Sequence, residues 1–284
     1  MSESRDLWQD SMDHAVAVAR KSGEMIRAAV QNQDRSSLVQ TKSSAVDLVT
    51  ETDQKVEQLI IQSVKSKFPT HKFIGEESVS SGEPCVLTSD PTWIIDPIDG
   101  TTNFVPRVLG GVVLNSDTCH RLNARVVYSA IEDKMYTDAE RGPFVTGRPP
   151  AGSSQTMFTK RWWPQSSAQQ DPDVVDKIFS SLRNVLTLLC TGIRGAGSAA
   201  LNMCAVASGS VELYYETGIH VWDVAAASVV VSEAGGVLLD TTGGAVDLMS
   251  RRIVAANNKT IATRIIQQLQ VYSPERDDGV TDGK

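Results

Sequence analysis

The stretch Trp93-Ile94-Ile95-Asp96-Pro97-Ile98-Asp99-Gly100-Thr101-Thr102-Asn103-Phe104 constrains this chain more than any other segment. Trp93, Ile94 and Ile95 form a short apolar run after the turn residues Ser89, Asp90 and Pro91, which reads as a buried strand. The run leads into two carboxylates, Asp96 and Asp99, set around Pro97. Gly100 and two threonines follow, and then the apolar pattern resumes as a helix start. Carboxylates at a strand end hold hard cations through oxygen. The free N–H groups of a helix start, with the positive end of its dipole, hold an anion. The order of strand, acidic turn, glycine and helix start therefore suggests metal-assisted phosphate chemistry.

Around this segment, periodicity predicts alternating helices and strands. Trp8, Met12, Ala15, Val16, Ala19 and Ile26 recur at helical spacing, and a polar stretch near Asn32 to Ser37 ends that helix. Val46 and Leu48 alternate as in a short strand, while Val56, Leu59, Ile60 and Val64 mark a second helix. Phe73 and Ile74 form a short strand that stops at Gly75. Residues 115–125 have no clear period. Val126 to Tyr128 and Met135-Tyr136 read as strands, with a turn at Glu132-Asp133, and residues 147–154 read as loop. Val174, Val175, Ile178, Leu182 and Val185 belong to a helix begun at Asp171-Pro172-Asp173, and residues 185–190 suggest a buried strand. A glycine-rich start at 192–197 opens another helix, Val211 to Glu216 alternates as a strand, and an apolar helix from Val224 ends at Gly235-Gly236. Two strands, at 237–239 and 253–256, and a helix carrying Ile261, Ile265, Ile266 and Leu269 complete the pattern. With no internal repeat or interdomain linker, residues 1–272 are expected to form a single domain, and the polar, acidic residues 273–284 a disordered tail.

Further acids accompany the central pair. Glu76 and Glu77 stand at a strand end, Asp53 near one helix start and Asp223 at another. Asp53 and Asp223 each have a structural reading, as helix N-cap or dipole partner, and a functional one: a site role for Asp53, and for Asp223 a further carboxylate joining Asp96, Asp99 and the 76–77 pair. For Glu76 and Glu77, the alternative to a metal role is simple exposure to solvent at the strand end. His220 reads as a packed, hydrogen-bonded neighbour, because hard cations prefer oxygen.

Composition narrows the partners. The chain has 284 residues and a net charge of −7, with no long basic run, so no nucleic-acid partner is expected. Cys85, Cys119, Cys190 and Cys204 show no CxxC spacing, which argues against zinc. Scattered cysteines, acidic residues at Glu3, Asp6 and Asp10, and no bilayer-length apolar run suggest a cytoplasmic protein without a membrane partner.

Gly75-Glu76-Glu77-Ser78, the stretch from Trp93 to Phe104, Gly197-Ser198-Ala199-Ala200 and Trp222-Asp223-Val224-Ala225-Ala226 occur in the order and near the spacing of the inositol monophosphatases. These belong to the lithium-sensitive, magnesium-dependent phosphatase superfamily. The resemblance implies an α/β fold, layered αβαβα, with two sheets between helix layers. It implies hydrolysis of inositol monophosphates to inositol and phosphate by metal-activated water, in a homodimer serving inositol metabolism and phosphatidylinositol signalling. Two to three Mg2+ ions would bind Glu76, Asp96, the carbonyl of Ile98, Asp99 and Asp223, and Li+ would inhibit. Glu76, Thr101 and Asp53 would be catalytic, orienting the attacking water. The amides of Gly100, Thr101 and Thr102 would hold phosphate, while Asp99, Gly197, Ser198, Ala199, Glu216 and Asp223 would meet the rest of the substrate.

The chain leaves the family pattern in two places. After Val105 the family continues with a histidine, an aromatic/proline pair and an apolar strand, where this chain has Pro106-Arg107-Val108-Leu109-Gly110-Gly111. The stretches at about 106–125 and 145–170 are atypical, which puts the strands between about 106 and 170 in question. Two other readings follow: a related nucleotide or sugar phosphate phosphatase, or a catalytically impaired family member acting as a binding partner.

Overall fold

The computed structural model describes residues 2–32, 39–41, 48–100, 111–118, 121–137, 156–159, 171–188 and 192–280. Two five-stranded sheets organise them. The first, in the order β3-β4-β5-β6-β7, contains Lys72–Gly75, Thr92–Asp99, Gly111–Thr118, Arg121–Ser129 and Lys134–Tyr136. The second, in the order β11-β12-β10-β8-β9, contains Val237–Leu239, Arg252–Ala256, Leu213–Thr217, Thr156–Thr159 and Gly192–Arg194. A short antiparallel pair, β1 (Val39–Thr41) and β2 (Leu48–Thr50), precedes them.

Alternating side chains show how the layers stack. In β6, Val126 and Tyr128 pack with α1 (Ser2–Asn32) and α2 (Glu51–Lys67), while Val127 packs on the opposite face. That opposite face meets α5 (Ala199–Ala207) and α6 (Val221–Glu233), which fill the space between the sheets. In β12, Ile253 and Ala255 face these two central helices. Val254 and Ala256 face α4 (Pro172–Thr187) and α7 (Lys259–Ile266) on the outside. The order is helices, sheet, helices, sheet, helices, the layered αβαβα arrangement. A strand covered on both faces has no solvent side to keep polar, hence the continuous apolar runs at 93–95 and 253–256. The central helices are likewise apolar nearly all round: residues 199–204 and 224–228 are buried without a break.

Several local expectations change. Residues 115–125 lack a readable period, yet β5 and β6 pair antiparallel there, with a register shift between Ser116 and Asp117. Part of the region expected to depart from the fold therefore supplies two neighbouring strands. Residues 185–187 are not strand: Val185 is the next buried turn of α4, which Leu188 caps, and β9 begins at Gly192. Glu76 and Glu77 open a short helix, α3 (Glu76–Ser80). Residues 273–280 do not hang free as a disordered tail; Arg276 pairs with Asp247 at 2.5 Å, and the Asp277 side chain is buried against α6. Charged groups without an apolar pattern have docked there through ion pairs and helix capping. The atypical residues 106–110 and 145–155 lie outside the described residues, as do 160–170.

Candidate metal and phosphate site

The site begins with a change of parity in β4. Ile95 and Ile98 are three residues apart, yet both pack under α1 and α2. In a regular strand they would point to opposite faces. The register explains the difference: Asp96 lies opposite Val113 and Asp99 opposite Gly111, so the strand carries an extra residue between them. Pro97, which has no N–H to give to a ladder, stands within that interruption. Ile94 faces α6, and the extra residue brings Asp99 to that face together with Asp96. Gly100 follows with φ of 90°, a backbone turn that a side chain resists.

Oxygens of Asp96, Asp99 and Asp223 lie within 4.8 Å of one another. Asp96 is 1% exposed, and among the described residues neither of its carboxylate oxygens has a hydrogen-bond partner. Burial pushes its carboxyl well above the usual range, and the charges of Glu76, Asp99, Asp223 and Asp53 push it further. Asp223 is raised as well, by burial first and then by Asp99 and Glu76, against a hydrogen bond from His220. Such a group of buried acids is stable only when protonated or neutralised by a cation. An oxygen-only donor set suits a hard divalent ion. The orphaned Asp96 oxygens thus fit a metal centre.

The surrounding acids are held in place by separate devices. The Ser198 hydroxyl donates to Asp99 Oδ2 at 2.6 Å, and the Ala200 N–H donates to the same oxygen at 2.7 Å. Asp99 thereby sits on the N-terminus of α5, where the helix dipole favours negative charge. Ser198 also caps that helix by accepting from the Leu201 N–H. Asp223, in the first turn of α6, accepts from the His220 N–H at 2.7 Å. Glu76 stands at the start of α3, whose chain direction is fixed by Glu57. The buried Glu57 carboxylate accepts from the N–H groups of Glu77 and Ser78 at 2.8 and 2.9 Å, and from the Ser78 hydroxyl at 2.5 Å.

A cleft open to solvent adjoins this cluster. Asp99, Gly197, Ser198, Ala199, Glu216 and Asp223, all expected to meet substrate, line it together. The buried Tyr214 hydroxyl donates to Glu216 and braces it from within the sheet. Asp53 is buried and close enough for its charge to act on Asp96. The Ile98 side chain is buried in the apolar cluster, so only its backbone carbonyl is left to serve as a ligand. Of the two adjacent glutamates, Glu76 acts on the acidic cluster and Glu77 on Glu57. His220 is a hydrogen-bonded neighbour, stacked on Trp222 at 4.5 Å. Thr101 and Thr102 lie outside the described residues.

Sequence reasoning missed Glu57, Asn202, Ile219 and Asp277. Asn202 and Ile219 line the cleft from a helix face and a loop whose spacing looks like ordinary packing. Glu57 had one available signal, its position one helical turn after Asp53 on the buried face of α2.

The match of the inositol monophosphatase family model over residues 8–273 decides the relationship. The chain belongs to the inositol monophosphatase family. Among its relatives, inositol monophosphatase 1 of Bos taurus is 49% identical over 280 residues, covering 96% of this chain and 99% of that protein. Inositol monophosphatase 2 of Mus musculus is 42% identical, covering 95% and 93%. Among solved structures, the extragenic suppressor protein suhB of Bartonella henselae has a TM-score of 0.76 at 27% identity, covering 92% of this chain and 98% of that one. The IMPase of Thermotoga maritima gives 0.73 at 25%, covering 91% and 96%. Family membership thus extends across both atypical stretches.

Proposed function

We propose that this chain hydrolyses inositol monophosphates to inositol and phosphate with magnesium as its cofactor. The observation that carries this reading is Asp96, a buried carboxylate whose two oxygens have no hydrogen-bond partner among the described residues, set among four other acids beside a cleft with polar walls. The relatives named inositol monophosphatase supply the substrate. Glu76, Asp96, the Ile98 carbonyl, Asp99 and Asp223 would hold the metal. Bound magnesium would neutralise the phosphate dianion, lower the pKa of water and steady the leaving alkoxide.

The chain's own groups divide the remaining work. Asp53 and Glu76, with Thr101, are assigned to orienting the attacking water and accepting its proton. The amides of Gly100, Thr101 and Thr102 are assigned to the phosphate oxygens. Glu216 and the 197–199 segment face the cleft where the inositol hydroxyls would lie, offering an acceptor and backbone groups. Asp99 cannot swing away from this arrangement while α5 holds it.

The same reading includes Li+ as inhibitor, a homodimer and a cytoplasmic location. Among the described residues, no helix is long and apolar enough to cross a membrane. The deciding experiment is phosphate release from inositol monophosphate by purified protein during a magnesium titration. Nucleoside bisphosphate and fructose bisphosphate serve as competing substrates. Magnesium-dependent release with inositol monophosphate preferred is expected; no release from a folded sample refutes the reading.

A further inference from the structure

The helix that brings Asp223 to the acidic cluster is capped from far along the chain. Asp277 is 56 residues from Val221, yet its Oδ2 accepts the Val221 N–H at 2.7 Å. Its Oδ1 lies 2.6 Å from His220 Nδ1. Arg251 Nη2 donates to His220 Nε2 at 3.2 Å, so Nε2 is an acceptor and the imidazole proton sits on Nδ1, facing Asp277. The Asp277 side chain is 3% exposed. Two aspartates therefore bracket one helix start: Asp277 takes the first N–H of α6, and Asp223 takes the N–H of its cap residue, His220.

The arm carrying Asp277 is itself tied down. Asp277 donates its N–H to the Met249 carbonyl at 3.1 Å. Arg251 donates to the Glu275 carbonyl, and Arg276 pairs with Asp247 and Asp278. Three successive residues are thus fixed around the helix start. A carboxylate on an N-terminal N–H also meets the positive end of the helix dipole. Without it, the first turn of α6 would fray, and Asp223 sits in that turn.

We propose that the C-terminal arm completes the metal centre: Asp277 is a positioning residue that holds Asp223 in reach of Asp96 and Asp99. This rests on the metal reading above. Groups that orient a metal ligand from outside typically change metal affinity or activity roughly 10- to 100-fold when removed.

The test uses D277N and a chain ending at Tyr272, each stripped of metal and titrated with magnesium alone by calorimetry at low temperature. Circular dichroism confirms folding, and phosphate release is measured separately. Magnesium affinity should fall roughly tenfold or more in both variants. D277E, which keeps both acceptor oxygens, should recover part of the loss. At saturating magnesium, KM for inositol monophosphate should be little changed. A folded variant that melts lower but binds magnesium as the wild type does would overturn the inference and leave a purely structural role. Wild-type protein that binds no magnesium would overturn the metal reading itself, whereas binding without phosphatase activity would overturn only the proposed substrate.

Linkage gives a second measurement that needs no variant. If the arm strengthens magnesium binding, magnesium must stabilise the arm to the same extent. Hydrogen exchange in the 273–280 peptide of the wild-type chain should slow when magnesium is added. Unchanged exchange in that peptide, with magnesium bound, overturns the inference.

Discussion

A side chain at Gly75 fits only if the Glu57 carboxylate moves. A Cβ there would lie 2.6 Å from Glu57 Cδ and Oε2 and 2.7 Å from Oε1. The backbone is not the obstacle, since φ of −120° and ψ of 144° suit alanine. The expected damage in G75A therefore comes entirely from displacing a buried carboxylate. Glu57 accepts three hydrogen bonds from the start of α3. Hydrogen bonds to a charged group contribute about 1.5–3 kcal/mol each, and breaking a buried charged contact costs about 3–5 kcal/mol in all. We expect about 3–4 kcal/mol for G75A, because the carboxylate shifts rather than disappears. At roughly 2–3 °C per kcal/mol for a chain of this size, the melting temperature should drop by about 6–12 °C.

A double-mutant cycle isolates the cause. E57A removes the carboxylate and opens the space that Cβ needs, at its own cost in lost hydrogen bonds. Adding G75A to E57A should then cost under about 1 kcal/mol, a coupling of about 2 kcal/mol or more. Thermal and urea unfolding of the four metal-free proteins measure it. Equal costs of G75A in the two backgrounds would refute the reasoning, and so would a G75A protein melting within a degree or two of wild type. Because Glu76 is the next residue, G75A should also weaken magnesium binding, and G75A/E57A should not restore it.

Three further outcomes follow from the same site. D96N should abolish phosphate release, yet the metal-free protein should melt higher than metal-free wild type, since it removes a buried carboxyl that must hold a proton or be repelled by four neighbouring acids; activity near wild type, or a lower melting temperature, contradicts this. The carboxyls of Asp96 and Asp223 are raised on folding, so the native state holds protons that the unfolded chain releases. Their stabilising contribution is full below the unfolded carboxylate pKa of about 4 and is lost as pH rises through the folded values. Metal-free stability should therefore decline with rising pH over that window, and saturating magnesium should flatten the decline in pH-dependent melting curves. S198A removes both the cap of α5 and a donor to Asp99, and should cost about 1–2 kcal/mol and raise KM; wild-type stability and KM would count against the anchoring role.

How much of this was legible depended on whether the signal was local. Trp93 to Ile95 and Ile253 to Ala256 stand out as apolar runs because both faces of their strands are covered. The acidic turn was legible for a similar reason, as charge directly following a buried run. The parity change inside it was not: nothing in Ile95-Asp96-Pro97-Ile98-Asp99 states that Asp96 and Asp99 share a face, and only the pairing with β5 shows it. Val185 misled because an apolar residue near Leu188 and Leu189 fits a strand as well as the last turn of a helix. Glu57 and Asp277 act across 20 and 56 residues, on N–H groups that no side-chain pattern marks. Long-range capping of this kind leaves little trace in periodicity.

The two kinds of acid in the site explain each other. Asp99, Asp223 and the helix carrying Glu76 are each fastened to a helix start, by α5, by the His220 N–H and by Glu57. Fastened carboxylates cannot relieve their repulsion by turning to solvent. Asp96, without a hydrogen bond among the described residues, lies where that repulsion is felt from four sides. A fold that wanted only stability would place an apolar residue there, since replacing buried charge by packed hydrocarbon is often neutral or stabilising. On the proposed metal reading, holding these acids together pre-forms a site whose unfavourable energy would be released on cation binding, so the anchors would set metal affinity as much as the ligands. The layered core supplies the stability that such a centre lacks by itself. Weakening any one anchor should therefore lower magnesium affinity as well as the melting temperature, whereas weakening the layers around α1 and α2 should act mainly on the melting temperature.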